Sequence, residues 1–329
     1  FIPKGLSIMN KLEVIMYHYV RDLKKSRYPA IKGLDVRLFK QQLAYLKKNY
    51  TFIDMETVME ALYNGKRLPE NAVLLTFDDG YSDHYTTVFP ILANEGITGV
   101  FAMPGKIIRE QKMLDVNKIH FILASTPIDI VKNLLIQKLE KERSEGFNIR
   151  PTEELYNIYA KRSRFDSADV IFIKRILQNA LPEQARNLIV DEMFHELVTD
   201  NEEAFVSELY LTMDQIKVMH KYNMHFALHG YEHYWFDSLT EEQFKQDIQS
   251  ALDVFDSVID RKKWTFCYPY GATQNSLLHY CKSIHCIAGF TVEPRVADLE
   301  QENPLLIPRY DTNDYPPKSQ IPRSREVTI

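Results

Sequence analysis

The feature that most constrains this chain is an alternation of short apolar runs with amphipathic stretches, broken once and then resumed. Leu12-Glu13-Val14-Ile15-Met16-Tyr17 reads as a buried strand that ends at His18. Asp35 is placed to cap a helix through residue 49, with Phe39, Leu43 and Leu46 at helical spacing. Thr51-Phe52-Ile53 is a short strand, and residues 55–64 form a helix stopped by Gly65. Val73-Leu74-Leu75-Thr76-Phe77 is a second buried strand, closed by Asp78-Asp79-Gly80. A helix over 84–94 and a strand over 98–103 follow. Such alternation favours parallel strands with helical crossovers, in a barrel or a doubly wound sheet. Ligand sites in these folds gather at the C-terminal ends of the strands. His18, Asp78 and Asp79 all follow a strand, so one face of the molecule is expected to carry them.

Residues 107–210 break the pattern. Helical spacing covers 128–145, 152–164, 167–180 and 182–198, and no convincing strand interrupts it. This stretch reads as a mainly helical insertion, serving as a lid or an oligomer surface. Alternation then resumes. Thr212-Met213-Asp214-Gln215 and Thr240-Glu241-Glu242-Gln243 both carry a capping-box pattern. Strands are expected over 224–228, ending at His229, and over 264–268, ending in Pro269-Tyr270-Gly271. The last strand candidates are 287–291 and 305–308. The expected organisation is a discontinuous α/β domain (10–106 plus 211–312), the helical insertion (107–210) and an irregular, proline-bearing tail (313–329).

Composition excludes several classes. A net charge of −5 leaves no basic footprint for nucleic acid. No run approaches the roughly 20 apolar residues of a membrane span. Cys267, Cys281 and Cys286 are odd in number and late in the chain, which argues against a disulfide framework and for a reducing compartment. Residues 1–10 lack a basic region followed by an apolar core and a small-residue cleavage site, so a cytoplasmic protein is expected.

Two carboxylates at the end of a buried strand are costly unless solvated, paired or bound to metal. Neighbouring strand residues point to opposite sides, so one of Asp78 and Asp79 can hold a cation while the other handles a proton. His229-Gly230-Tyr231-Glu232-His233 places two imidazoles four residues apart, a spacing that lets both converge on one ion. Borderline divalent metals accept two imidazoles and one carboxylate and keep open positions for water. Asp79 would be the third ligand.

Thr76-Phe77-Asp78-Asp79-Gly80, then His-x-x-x-His, then a strand ending in Tyr268-Pro269-Tyr270-Gly271 resemble the polysaccharide deacetylase family, the NodB-homology group of carbohydrate esterases. The resemblance covers about 10–106 and 211–310 and leaves the insertion outside. It implies a distorted (β/α)7-type barrel and metal-dependent removal of an N-acetyl group from an amino sugar. It implies Asp79, His229 and His233 as metal ligands and Asp78 as the base that deprotonates the metal-activated water. It also implies the backbone N–H of Tyr270 as an oxyanion donor, with the Tyr268 and Tyr270 rings walling the sugar pocket. Zinc is the expected metal, with cobalt, nickel or manganese as alternatives.

Two family features are missing. The arginine that often opens the third motif is replaced by Cys267, and no Leu-x-His follows near the C-terminus. Arg309, after Leu306-Ile307-Pro308, is expected to pair with Asp78 in place of that arginine. His18 in Met16-Tyr17-His18-Tyr19 resembles an early Tyr-His of the exopolysaccharide-type branch, which implies the general-acid role. The expected substrate is an N-acetylated sugar on a nucleotide or lipid carrier, used in surface-polysaccharide or glycoconjugate assembly. Two other readings remain: a metal amidohydrolase of the same fold acting on a formamide or cyclic ureide, and a sugar-binding protein that has lost catalysis.

Overall fold

The strand Lys11–Tyr17 (β1) is buried from Leu12 onward, as its mostly apolar run requires; Glu13 is the one charge within that run. The computed structural model describes residues 10–319; the N-terminal stretch read for a leader and the end of the tail lie outside them. Val20–Arg21 (β2) pairs in parallel with Leu34–Asp35 (β3) and ties off the base of the loop between them. Thr51–Phe52 (β4), Ala72–Phe77 (β5), Val100–Met103 (β6), His225–Leu228 (β7), Trp264–Cys267 (β8) and Cys286–Phe290 (β9) follow. All pair in parallel, in the order β1-β5-β6-β7-β8-β9, with β4 beside the start of β5. Ala297–Asp298 (β10) adds an unexpected antiparallel pair to β1, and Tyr310–Asp311 (β11) pairs with β1 in parallel.

The wall is a curled parallel sheet of the (β/α)-barrel type, and its closure differs from the expected strand over 305–308. Ile307 alone bridges to Phe290 on β9; the chain then reaches β1 at Tyr310. Arg309 therefore sits in the seam between β9 and β1.

The pleat sorts the strand residues into two sets. Leu12, Val14, Leu74, Val100, Ala102, Ala227, Cys267, Ala288, Phe290 and Ile307 join in one buried cluster that links all the main strands. On the opposite face Tyr17, Phe77 and Phe101 stack, at centroid distances of 4.9 Å each, against Phe39 of the helix Val36–Asn49. Asp35 caps that helix, and Thr212 and Thr240 form reciprocal capping boxes, as their sequences require. The expected helix over 84–94 opens instead with a π-helical turn, His84–Val88, before Phe89–Asn94. All three cysteines are unpaired and buried.

The chain divides into two compact units. One comprises residues 10–22, 33–109 and 209–319 and contains the sheet; the other comprises 23–32 and 110–208. The second is helical among its described residues, with Ile128–Ser144 and Glu183–Leu197 its longest helices. Phe121, Phe194 and Phe205 form its aromatic core. Residues 23–32 belong to this unit because Tyr28 packs on Phe121 and Phe205. Lys118, nearly buried there, is held by Asp191 at 2.7 Å and Glu202 at 3.1 Å.

Candidate active site

The ends of β1, β5, β7 and β8 bring together residues that the sequence keeps far apart. Asp78 N donates to the carbonyl of Tyr17 at 2.9 Å, which continues the β1–β5 register and sets His18 beside Asp78. His229 N donates to the Met103 carbonyl at 3.0 Å, which sets β7 beside β6 at the same level.

Asp79, His229 and His233 are buried, and their ligand atoms lie within 4.8 Å of one another. Asp79 Oδ1 is 3.1 Å from His229 Nε2 and 3.2 Å from His233 Nε2. Its other oxygen accepts the Tyr81 hydroxyl at 2.6 Å. His229 Nδ1 lies 2.6 Å from the Cys267 carbonyl, which can only accept. Nδ1 therefore carries the ring proton, and in the neutral ring Nε2 turns a lone pair toward Asp79. Asp79 Oδ1 makes no hydrogen bond although it is buried. A buried lone pair facing a buried carboxylate oxygen requires positive charge between them. Two imidazoles and a carboxylate are the donor set of a divalent transition metal with open positions, so the residues fit that ion.

The electrostatics agree. Burial pushes the His229 pKa down, but the Asp78 and Asp79 carboxylates outweigh it and hold it above the ordinary histidine value. Burial prevails at His233, whose pKa is lowered. Asp79 is held well below the carboxylate range, because the two imidazoles outweigh the burial that would raise it.

Backbone strain concentrates at the same place. Asp79, His233 and Tyr270 are non-glycine residues with positive φ, at 78°, 62° and 59°. Gly80 follows with φ 69°, and a Cβ there would stand 2.7 Å from Met103 Cε. Gly80→Ala is expected to destabilise the fold by about 1–2 kcal/mol through the left-handed backbone, with a further packing cost. Denaturant unfolding checks this, and a change within about 0.5 kcal/mol would place it with neutral surface substitutions.

Asp78 forms a separate device. Arg309 is fully buried and grips it with two parallel bonds, Nη1 to Oδ1 at 2.9 Å and Nη2 to Oδ2 at 2.8 Å. Arg309 Nη1 also donates to Thr76 Oγ1 at 3.1 Å, and Nε donates to the Thr291 carbonyl at 2.8 Å. Burial pushes the Asp78 carboxyl up, but the guanidinium outweighs it, so the pKa lies below the ordinary value.

His18 is partly buried, and its charge lowers both aspartates. The Tyr270 ring stands edge-on to His233 at 4.9 Å and stacks on Trp235 at 4.1 Å. Tyr268 differs from the expected pocket wall. It is fully buried, packs on Phe266 at 4.7 Å and presses its hydroxyl toward Gly289. Its strand parity turns it into the packing.

Several contributors escaped the sequence reading. Asp247 accepts from the N–H groups of Tyr231, at 2.7 Å, and Glu232, at 2.9 Å, and so shapes the loop between the two histidines. Burial raises its pKa to about 6. The available signal was a carboxylate on the same helical stripe as Phe244, Ile248 and Ala251. His84, completely buried, has its Nε2 2.9 Å from the His18 carbonyl; burial lowers its pKa to about 4 and keeps it neutral. Trp235 and the hydroxyl of Tyr81 carried no motif of their own.

A sequence model described as polysaccharide deacetylase matches residues 65–149 and 192–286, more than half of the chain. The chain belongs to the polysaccharide deacetylase family. The matched residues include Asp78, Asp79, His229, His233 and Tyr270 and leave out His18 and Arg309. Among curated proteins, a poly-β-1,6-N-acetyl-D-glucosamine N-deacetylase of Escherichia coli (strain K12) is 29% identical over 167 residues, 47% of this chain. The chain spans only 24% of that relative's length. Among solved structures, the deacetylase PplD of Streptococcus pyogenes, in complex with acetate, aligns over 92% of each chain with a TM-score of 0.54 and 16% identity. IcaB from Ammonifex degensii aligns over 91% of each chain with a TM-score of 0.53 and 17% identity. These two likenesses show the shared fold.

Proposed function

We propose that this family member is a metal-dependent hydrolase that removes the N-acetyl group from an amino sugar in polysaccharide or glycoconjugate biosynthesis. The observation that carries the reading is the pair of adjacent aspartates held to separate tasks: Asp79 against two imidazoles, Asp78 against a buried arginine. Asp79, His229 and His233 would hold the cation, and the donor set favours zinc over cobalt, nickel or manganese. When bound, such an ion polarises a carbonyl and lowers the pKa of a water toward neutrality.

The remaining work falls to the chain. Asp78 stays ionised beside Arg309 and accepts the proton of the attacking water. Arg309 orients that carboxylate through its two bonds. The N–H of Tyr270, at the left-handed turn after Pro269, donates to the oxyanion formed from the acetyl carbonyl. His18, beside Asp78 in register, supplies a proton to the departing amine, for which an imidazole has a suitable pKa range.

The substrate class is tested by incubating zinc-loaded protein with β-1,6-linked N-acetylglucosamine oligomers and with nucleotide-linked N-acetyl sugars. Released acetate and free amine are measured. Activity is expected on one class, to vanish on chelation and to return with zinc. Turnover that survives chelation would sink the metal-dependent reading. Hydrolysis of a formamide or cyclic ureide, with N-acetyl sugars untouched, would favour the amidohydrolase reading of the same site.

A further inference from the structure

Tyr81 is a fully buried polar group beside the candidate ligands, and the proposed reaction gives it no task. Its hydroxyl donates to Asp79 Oδ2 at 2.6 Å. The backbone brings it there: Asp79 and Gly80, with φ of 78° and 69°, turn the chain back on itself. The Gly80 carbonyl then accepts from Leu211 N at 2.9 Å, and Tyr81 forms an antiparallel bridge with Tyr210. Tyr19 stacks on the Tyr81 ring at 3.9 Å and 19°, which fixes the direction of the hydroxyl. Only Oδ1 of Asp79 faces the two imidazoles, and it makes no hydrogen bond. A hydrogen bond donated to one carboxylate oxygen draws charge from it and fixes the group's orientation, which favours the other oxygen as the donor to a cation.

We propose that Tyr81 makes Asp79 a one-oxygen ligand and thereby sets which divalent cation the site prefers. The inference rests on the metal-site reading above. Two imidazole nitrogens and one carboxylate oxygen suit a borderline ion of low coordination number such as zinc. With Oδ2 released, Asp79 can offer both oxygens, and a site with more donors and more oxygen favours a harder ion such as manganese. Tyr81 is thus a positioning residue that acts on selectivity through Asp79.

The test is a calorimetric titration of the metal-free full chain with Zn²⁺ and, separately, with Mn²⁺, for wild type and Tyr81→Phe. Zinc affinity is expected to fall about 10–100-fold, while manganese affinity holds or rises, so the preference narrows. An equal loss for both ions would reduce Tyr81 to structural support and overturn the proposal, as would no change in either. Should Tyr81→Phe fail to fold, the wild-type protein loaded with Co²⁺ decides. Intense visible absorption of a four- or five-coordinate ion is expected, and a weak six-coordinate spectrum overturns the proposal. A wild-type protein that binds neither ion would sink the metal-site reading itself, an outcome distinct from tight binding with unshifted preference in the variant.

Discussion

Arg309→Ala is expected to destabilise the fold by about 3–5 kcal/mol, the cost of leaving one member of a buried ion pair without its partner. The guanidinium is fully buried and satisfies Asp78, Thr76 Oγ1 and the Thr291 carbonyl at once, so its loss strips four hydrogen bonds from the seam that closes the sheet. The sign of the pH dependence follows. In the wild type the Asp78 pKa lies below its ordinary value. The pair therefore contributes stability above the unfolded aspartate value, and this is lost as pH falls through the folded one. In the variant, burial acts on Asp78 without its counter-charge, its pKa rises, and keeping it ionised costs stability as pH increases. The deficit against wild type is thus largest near neutrality and shrinks on acidification. Guanidinium unfolding at several pH values measures it. A deficit below about 1 kcal/mol, the range of exposed pairs, or one that grows in acid, would show that the pair is not the device described. Arg309→Lys keeps the charge but not the two-pronged geometry, and is expected to recover only part of the loss.

Asp78→Asn is expected to lower the rate of N-acetyl hydrolysis by about 10²–10⁴-fold, the usual contribution of a positioned general base. The amide keeps the shape of the carboxylate but cannot take a proton, and it turns an NH₂ toward one Arg309 nitrogen. The Asp79, His229 and His233 ligand set is untouched, so zinc stoichiometry is expected to stay at the wild-type value. Initial rates on the preferred N-acetyl sugar, with metal content measured on the same sample, separate loss of the base from loss of the metal. Activity within a few-fold of wild type would remove Asp78 from the reaction. Loss of bound zinc would mean that Asp78 and Asp79 act as one unit.

The two predictions draw on different sources of information. That Asp78 and Asp79 end a buried strand was readable because an apolar run followed by two charges has few inexpensive solutions. The same holds for His229 and His233, whose spacing carries the chemistry within one loop. Asp78 and Arg309, in contrast, are 231 residues apart. Nothing in local periodicity joins them, and the pairing arises because the chain leaves β9 at Ile307 and reaches β1 at Tyr310, which sets Arg309 in the seam between them. Tyr268 shows the reverse case: a motif position suggested a pocket wall, and strand parity turned the ring into the core. Asp247 and Tyr81 act through single hydrogen bonds to a loop and to a ligand, and such bonds leave no spacing pattern to read.

The alternation of strands and helices, the break near residue 107 and the two short motifs were properties of the sequence alone, because periodicity, capping and charge burial are local or nearly so. The closure of the sheet, the inclusion of residues 23–32 in the helical unit and the tautomer of His229 were decided by tertiary structure. Each depends on which distant backbone carbonyl or side chain arrives at a given atom. That arrival is set by the register of the whole parallel sheet.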